Sequence, residues 1–309
     1  MPRANLGGRR RRSNVDAHVQ RRTRNSGGRR ERRRPVDRTI RDPILRFIDR
    51  TPSADPWRHG DYTHVSDLVY KCMRAVALAG ELGIPVVQEE HWTSMRLIHV
   101  MGESVHDWIK AQALSKTDKV FGNWSCACGD SIVEHATYAE AQEYECENCG
   151  KALDRYQELT LRDDEYMVVG NADIGFKEDG KILVCELKSI SKTQFEDLTS
   201  PKPDHTLQLH FYRWLLKRNG YEVHPDSSIA YARRDWAPSP PFKEFKLSTQ
   251  DDERRIRSML EEAAALKVWR EGGPVPDRLL CNSPQTTRAK KCGVCNECFL
   301  RPGVSSRVG

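Results

Sequence analysis

The sequence predicts an α/β fold, with a mixed central sheet flanked by helices and a small cysteine-rich metal module embedded in it. Two observations lead to this prediction. Stretches with helical spacing of apolar residues alternate with strand-like runs, and most of the ten cysteines lie in two groups. At 309 residues and 38% apolar content, the chain can bury one good-sized core or two small ones.

The chain begins with a strongly basic segment. Residues 1–41 hold 15 Arg against three acidic residues, so they contribute +12 to a net charge of +6 and leave the remainder at −6. Because it has almost no apolar content, this segment is predicted to be a disordered tail. Its density of Arg favours contact with nucleic-acid phosphates, although a tail that only adds solubility has the same composition.

Residues 42–120 are predicted to form an N-terminal helical part. Ser66 is expected to cap a helix, because apolar residues recur after it at helical spacing: Leu68, Val69, Cys72, Met73 and Val76. A second helix is expected from about Thr93, with the apolar residues Met95, Leu97, Ile98, Met101, Val105, Trp108 and Ile109. Gly102 and His106 lie one turn apart on one face of it.

Residues 156–270 are predicted to form the core of the domain, because strands and helices alternate there. The periodicity predicts helices at about 204–218 and 250–270 and strands at 158–162, 166–176, 181–188, 228–234 and 242–247.

The dipeptide Asp179-Gly180 predicts a hairpin with a two-residue turn between two of these strands. In that register Glu178 pairs with Lys181, and Asp173 faces Glu186. The β-carbons of facing residues are about 4.5–5.5 Å apart, so two facing acids need a positive group between them. Strand alternation then places Lys188 on the same face as Glu186.

These three side chains suit metal-assisted hydrolysis of a phosphodiester. Asp173 and Glu186 would bind Mg²⁺ or Mn²⁺, which activates a water and offsets charge on the scissile phosphate. Lys188 would orient that water or stabilise the transition state. Alternating charges often mark only a solvated strand, but residues 182–185 are apolar on both faces, which favours a buried and functional strand.

Residues 121–155 are predicted to be a zinc-ribbon insertion. Two close cysteine pairs lie 17 residues apart, and their thiolates can surround one metal ion: Cys126 and Cys128, then Cys146 and Cys149. His135 is a candidate substitute ligand. We expect the ribbon to be structural and to take no part in catalysis.

Four motifs, in their order along the chain, resemble those of the RecB-like branch of the PD-(D/E)XK nuclease superfamily. They are Gly102-x-x-x-His106, Gly170-x-x-Asp173, Glu186-Leu187-Lys188 and Gln208-x-x-x-Tyr212. The resemblance implies a restriction-endonuclease-like core in which His106 and the main-chain carbonyl of Leu187 are further metal ligands. It also implies that Gln208 and Tyr212 position DNA and the active-site lysine. His205 and His210 are expected to be ordinary polar positions.

The C-terminal segment, residues 271–309, holds four more cysteines, which by themselves suit a local zinc site: Cys281, Cys292, Cys295 and Cys298. Together with Cys72, in a Cys72-x-Arg74 context, they make the chain similar to the iron-sulfur exonucleases called Cas four. The resemblance implies that a [4Fe-4S] cluster held by Cys72, Cys281, Cys292 and Cys298 clamps the ends of the domain. The spacing departs from the family pattern after Cys281, so Cys295 is an alternative ligand.

The resemblance implies a metal-dependent DNA exonuclease, acting on ends or single strands in replication, recombination or DNA processing. The alternatives are a structure-specific endonuclease of the same fold and a non-catalytic iron-sulfur and zinc DNA-binding module. The sequence contains no Walker A pattern, so unwinding would require a helicase or recombination partner.

Apolar runs and cysteine usage predict the compartment. No run approaches the roughly 18 residues needed to span a bilayer, and no export signal is visible, so we expect a cytoplasmic protein without membrane contact. If the chain comes from a phage, this compartment is the cytoplasm of the bacterial host. In the cytosol, cysteines in close groups indicate metal sites rather than disulfides.

Overall fold

A computed structural model describes residues 61–84, 86, 92–129, 132–235, 241–248 and 252–301. All of them belong to one compact unit, residues 48–309. The basic segment 1–41 lies outside the described residues, as do residues 42–60 and 302–309, so what the sequence predicts for these parts stays a prediction.

Helices follow one short strand at the start of the described chain: β1 (Thr63–His64), α1 (Val65–Tyr70), α2 (Met73–Leu82) and α3 (Trp92–Leu114). The single helix predicted from Ser66 is wrong, because α1 begins one residue earlier and ends before Lys71. Lys71 has φ −108° and ψ 165°, which an α-helix cannot contain. Cys72 thereby becomes the N-cap residue of α2. The second predicted helix is confirmed by α3, although the side chains of residues 92–96 lie outside the described ones.

The strands form a small and a large sheet. After β1 they are, in chain order, β2 (Val120–Ser125), β3 (Ile132–Thr137), β4 (Arg155–Gln157), β5 (Leu159–Asp163), β6 (Val168–Ala172), β7 (Ile174–Glu178), β8 (Lys181–Ile190), β9 (Asp226–Arg233) and β10 (Phe242–Ser248). The small sheet has the order β1-β6-β5, and the large sheet has the order β10-β9-β8-β7-β2-β3, with β4 also paired to β2. In the large sheet β8 and β9 are parallel, whereas β7 and β8 are antiparallel. The predicted mixed sheet is therefore confirmed.

The predicted hairpin is confirmed in type and register. The strands β7 and β8 pair from Ile174 with Cys185 to Glu178 with Lys181. Asp179 and Gly180 have φ of 48° and 79°, and a type I′ turn requires positive φ at both of its central residues. The turn dipeptide thus fixes which residues of the two strands face each other.

The strand-like run 166–176 is two strands rather than the one predicted. β6 belongs to the small sheet and β7 to the large sheet, and Asp173 is the single residue between them. Apolar alternation continues on both sides of this residue, so the pattern does not show that the chain changes sheets. Asp173 consequently stands where the backbone passes from one sheet to the other.

The cysteine-rich segment 121–155 is continuous with the large sheet. Its first strand, β2, pairs with β7 through Val120 and Phe121 before it pairs with β3 and β4. A short helix follows β3, α4 (Tyr138–Ala141). Trp124 and Leu187 belong to one apolar cluster, so this segment shares its core with the sheet.

Helices cover both faces of the large sheet. The remaining helices are α5 (Lys192–Glu196), α6 (Pro203–Arg218), α7 (Glu253–Arg270), α8 (Thr287–Lys290) and α9 (Cys295–Leu300). Val184 of β8 packs in the cluster that contains residues of α6 and α7, whereas Leu187, on the other face, packs near Ile109 of α3. The predicted flanking helices are therefore present. None of the helices in the described ranges is long and apolar enough to cross a membrane.

Candidate active site

The hairpin brings Asp173 and Glu186 together. One step beyond Ile174 and Cys185, the last paired residues of β7 and β8, the register places the two acids opposite each other. Both are buried, with 7% and 2% of their surfaces exposed. Asp173 Oδ2 also accepts the main-chain N–H of Leu187 at 2.8 Å. This bond fixes the Asp173 carboxylate relative to β8.

His106 reaches Asp173 from α3, with Nδ1 3.2 Å from Oδ1. Burial opposes the charged form of both groups, but their contact raises the pKa of His106. The same contact, with Lys188 and Lys110, lowers the pKa of Asp173 to about 2. Asp173 is therefore an anion at neutral pH, and His106 is its immediate partner.

Glu186 has the opposite electrostatic setting. Burial raises its pKa to about 8, an effect that Lys188 opposes and Asp173 reinforces. Its Oε1 accepts a hydrogen bond from Lys188 Nζ at 2.5 Å. Its Oε2 is buried and has no hydrogen-bond partner among the described residues. A buried carboxylate oxygen in this state destabilises the protein unless a positive group lies beside it.

A divalent cation fits this unpartnered oxygen. Asp173 and Glu186 supply the hard oxygen ligands that Mg²⁺ and Mn²⁺ prefer, and His106 supplies a ring nitrogen. These three residues do not bring their ligand atoms within 4.8 Å of one another, a condition that only four cysteines meet in the described part of the chain. Leu187, whose carbonyl is an expected ligand, contributes its N–H to Asp173.

Lys188 is held between two acceptors. Its Nζ donates to Glu186 Oε1 and, at 3.0 Å, to Gln208 Oε1. Gln208 Nε2 in turn donates to the hydroxyl of Tyr212 at 2.6 Å. Gln208 therefore contacts the lysine directly, and Tyr212 contacts Gln208. Burial lowers the pKa of Lys188, but Glu186 and Asp173 raise it by more, so the lysine is a cation.

The motif glycines permit close packing around these side chains. A β-carbon on Gly170 would lie 2.8 Å from the ring of Tyr212, and one on Gly102 would lie 3.0 Å from Ser189 Oγ. Gly170 therefore lets α6 approach β6, and Gly102 lets α3 approach β8. The first approach packs the ring of Tyr212 against Gly170, and the second lies one turn from His106 on α3.

A family model described as the PD-(D/E)XK nuclease superfamily matches residues 67–298, which is most of the chain and includes every residue of this site. The chain belongs to the PD-(D/E)XK nuclease superfamily. Among solved structures, the chain is similar to SSO0001, with a TM-score of 0.38 and 18% identity over 71% of this chain and 80% of that one. No curated protein matches the chain significantly.

Beyond the superfamily motifs, the structure adds Lys110 and Glu158 to the site. Their side chains form an ion pair of 2.7 Å. Burial raises the pKa of Glu158, and Asp173 raises it further while Lys110 lowers it, so the pair lies within electrostatic reach of Asp173. The sequence analysis missed both residues. The signal for Lys110 is its position one turn after His106, on the same helix face.

Tyr70 and His205 are two further residues that the motifs do not indicate. The Tyr70 hydroxyl donates to Gln208 Oε1 at 3.2 Å. His205 Nδ1 lies 2.8 Å from the hydroxyl of Tyr231. Burial, with Lys188 and Lys202, lowers the pKa of His205 to about 3, so its ring is neutral beside the lysine.

The four cysteines of the predicted zinc ribbon come together, with all their sulfurs within 4.8 Å of one another: Cys126, Cys128, Cys146 and Cys149. Neighbouring sulfurs are 2.9 to 3.5 Å apart. Zn–S bonds of about 2.3 Å would place tetrahedral sulfurs roughly 3.8 Å apart, so the donor set fits one metal ion after a small expansion. None of the ten cysteines forms a disulfide.

His135 does not belong to this cysteine group, which corrects its place as a candidate ligand. Its Nδ1 lies 2.8 Å from the hydroxyl of Tyr221, and its Nε2 lies 2.7 Å from the carbonyl oxygen of Thr160. The residue has φ 57° and stands where the register between β2 and β3 shifts. This bulge directs the ring toward β5.

Cys72 lies near the C-terminal cysteines, as the resemblance implies. Burial raises the pKa of the Cys72 thiol, and Cys298 and Cys281 raise it further. Burial likewise raises the pKa of Cys292, with additions from Cys72, Cys298 and Cys295. No three of these sulfurs lie within 4.8 Å in the described chain. A four-iron cluster suits wider spacing than one ion, because iron and sulfide lie between its ligands.

Arg74 joins α2 to the C-terminal segment without any metal. The side chain is almost fully buried, and its guanidinium donates to the main-chain oxygens of Pro276 at 2.8 Å and Arg301 at 2.9 Å. A longer contact of 3.4 Å reaches the carbonyl oxygen of Cys298. Arg74 therefore holds the segment that carries Cys298 against the helix that begins after Cys72.

We predict that Arg74→Leu lowers the free energy of unfolding by at least about 3 kcal/mol, because it leaves buried carbonyl groups without donors. Urea unfolding measures the loss. Arg255→Leu is the control, since its 3.9 Å ion pair with Asp204 joins two side chains that are each more than half exposed and should cost less than about 1 kcal/mol. Equal losses in the two variants would contradict the clamping role of Arg74.

We predict that Glu186→Gln changes how stability depends on pH in buffer without Mg²⁺ or Mn²⁺. Folded Glu186 keeps its proton up to about pH 8, whereas the unfolded side chain loses it near 4.5, so wild type loses stability as pH rises through this interval. As pH rises from 4.5 to about 8, the free energy of unfolding of the variant should therefore increase relative to that of wild type. The increase should be a few kcal/mol, which is the energy equivalent of the pKa shift. Urea unfolding across this pH range measures the difference.

The matched control for this pH series is Glu178→Gln. Glu178 is an exposed carboxylate of the same hairpin, at the turn end of β7. Its substitution should leave the pH dependence of wild type unchanged. A constant difference between Glu186→Gln and wild type at every pH would show that Glu186 is not held in its protonated form by burial.

Proposed function

We propose that this member of the nuclease superfamily is a Mg²⁺- or Mn²⁺-dependent deoxyribonuclease that degrades DNA from ends or along single strands. The observation that carries the proposal is the buried pair of facing acids, Asp173 and Glu186, with one Glu186 oxygen unpartnered beside the cation Lys188. A protein that only binds DNA gains nothing from this costly arrangement.

Each residue has a defined task in this proposal. Asp173, Glu186 and His106, with the carbonyl of Leu187, would hold the cation, which supplies an activated water and offsets charge on the phosphate. Lys188 has three donors, of which Glu186 and Gln208 engage two, so one is left for a phosphate oxygen. Because its pKa is raised, Lys188 stabilises negative charge rather than acting as a base.

We predict that Glu186→Gln and Asp173→Asn each lower DNA cleavage by at least about 10²–10³-fold, because each removes a carboxylate that holds the metal. Cleavage of end-labelled linear single- and double-stranded DNA with Mg²⁺ or Mn²⁺ measures this effect. Glu178→Gln, from the same hairpin, is the control and should retain wild-type activity. Cleavage that persists in both active-site variants would place the chemistry elsewhere.

Circular single-stranded DNA separates the two types of nuclease. An exonuclease shortens the linear strands progressively and leaves the circle intact, whereas an endonuclease opens the circle. Tight DNA binding without cleavage by wild type would instead favour a non-catalytic binding module.

We further propose that the ribbon cysteines hold Zn²⁺ and that Cys72 and the C-terminal cysteines hold a [4Fe-4S] cluster. The zinc proposal is supported by the four ribbon sulfurs, which lie close together. The cluster proposal is supported by the packing of Cys72 beside Cys292 and Cys298. Both groups would be structural, since neither includes a residue of the acidic site.

We predict that anaerobically purified wild type contains about one zinc and about four irons per chain, measured by elemental analysis and visible absorption. Cys146→Ser should lose zinc and keep iron, whereas Cys72→Ser should lose iron and keep zinc. Cys295→Ser should keep both metals, because Cys295 is not one of the four proposed iron ligands. Full iron content in Cys72→Ser would contradict the proposed ligand set and favour a local C-terminal site.

The basic segment 1–41 would add phosphate contacts that do not depend on sequence. Any unwinding of duplex DNA would come from a partner, because the chain lacks a Walker A pattern.

A further inference from the structure

Two donors converge on the amide oxygen of Gln208. Lys188 Nζ lies 3.0 Å from Gln208 Oε1, and the hydroxyl of Tyr70 lies 3.2 Å from the same oxygen. The nitrogen end of the amide donates to Tyr212 at 2.6 Å. Both ends of the Gln208 side chain are therefore occupied, and one contact comes from a residue outside the superfamily motifs.

We infer that Tyr70 is a positioning residue for the active-site lysine and acts through the side chain of Gln208. The inference rests on the proposed nuclease function. Without Tyr70, rotation of the amide would break the bonds to Lys188 and Tyr212 and release the ammonium toward Glu186. With Tyr70 present the same rotation breaks three bonds, so Gln208 Oε1 stays beside Lys188.

Packing directs the Tyr70 hydroxyl toward Gln208. The ring of Tyr70 meets the ring of His205 edge to face, with centroids 6.4 Å apart and planes at 76°. His205 precedes Gln208 by three residues on α6, so the helix that carries the amide also holds the Tyr70 ring. Burial raises the pKa of Tyr70 to about 12, so its hydroxyl keeps the proton that it donates.

The backbone of Tyr70 is also fixed. Tyr70 is the last residue of α1, and the N–H of the next residue, Lys71, donates to the carbonyl oxygen of Asp67 at 2.8 Å. Cys72 and Arg74 follow, and Arg74 is bonded to the C-terminal segment. The hydroxyl is thus presented from the junction of two helices, and it reaches Gln208 although 42% of the surface of Tyr70 is exposed.

The experiment compares Tyr70→Phe with Tyr62→Phe, which removes the same hydroxyl from an exposed bond of 2.5 Å to Asp164. Tyr70→Phe should lower kcat for single-stranded DNA about 3- to 10-fold, as expected for one lost hydrogen bond, and should change KM by less than about twofold. Metal content should match wild type, and the urea midpoint should fall only slightly, as the loss of one hydrogen bond predicts. Tyr62→Phe should match wild type in every measurement.

A double-mutant cycle tests whether Tyr70 acts through Gln208. Tyr70→Phe combined with Gln208→Ala should be no slower than Gln208→Ala alone, because the path to Lys188 is already broken. Unchanged kcat in Tyr70→Phe would overturn the inference. So would effects that multiply in the double variant, or a loss confined to KM, since both indicate that Tyr70 acts separately from Gln208.

The same cycle on free energies of unfolding is independent of cleavage. A coupling between Tyr70 and Gln208 supports the contact, and additive losses of stability overturn it. If wild type binds metal but cleaves no DNA, the nuclease proposal fails on that result, while the unfolding cycle still decides whether Tyr70 restrains Gln208.

Discussion

The burial of two carboxylates that face each other is the constraint on which the rest of the structure depends. Asp173 and Glu186 lie side by side at the end of a hairpin, and their environments drive their pKa values apart. His106 and the N–H of Leu187 hold Asp173 as an anion, whereas Glu186 has one oxygen on Lys188 and one without a partner. The protein tolerates this cost because a packed core of two sheets and their helices surrounds the pair.

Two helices carry the polar side chains that surround the acidic pair and Lys188. α3 brings His106 and Lys110, and it approaches β8 where Gly102 leaves room. α6 brings Gln208 and Tyr212, and it approaches β6 where Gly170 leaves room. Two of the superfamily motifs therefore combine chemistry with packing, because Gly102 and Gly170 leave room for the helices that carry His106 and Tyr212.

The two cysteine groups lie where segments that are distant in the sequence meet. The first group closes the loops beside β2, β3 and β4, and its buried members pack with the large sheet. The second group joins α2 to the C-terminal segment, where Arg74 already binds main-chain carbonyl oxygens. Because Cys72 lies two residues after Tyr70, this second region is also next to the contacts that hold the active-site lysine.

The amino-acid pattern was sufficient for features that depend on neighbours in the chain. The turn at Asp179 and Gly180 sets the register that pairs Asp173 with Glu186, and helical spacing places Gln208 one turn from Tyr212. Features that depend on distant parts of the chain required the folded structure. They include the change of sheet at Asp173, the pairing of β2 with β7 and the approach of Tyr70 to Gln208. Apolar periodicity predicts which element a segment forms, but it does not record which distant segment covers it: Leu97 and Trp108, in the apolar pattern of α3, are 62% and 54% exposed.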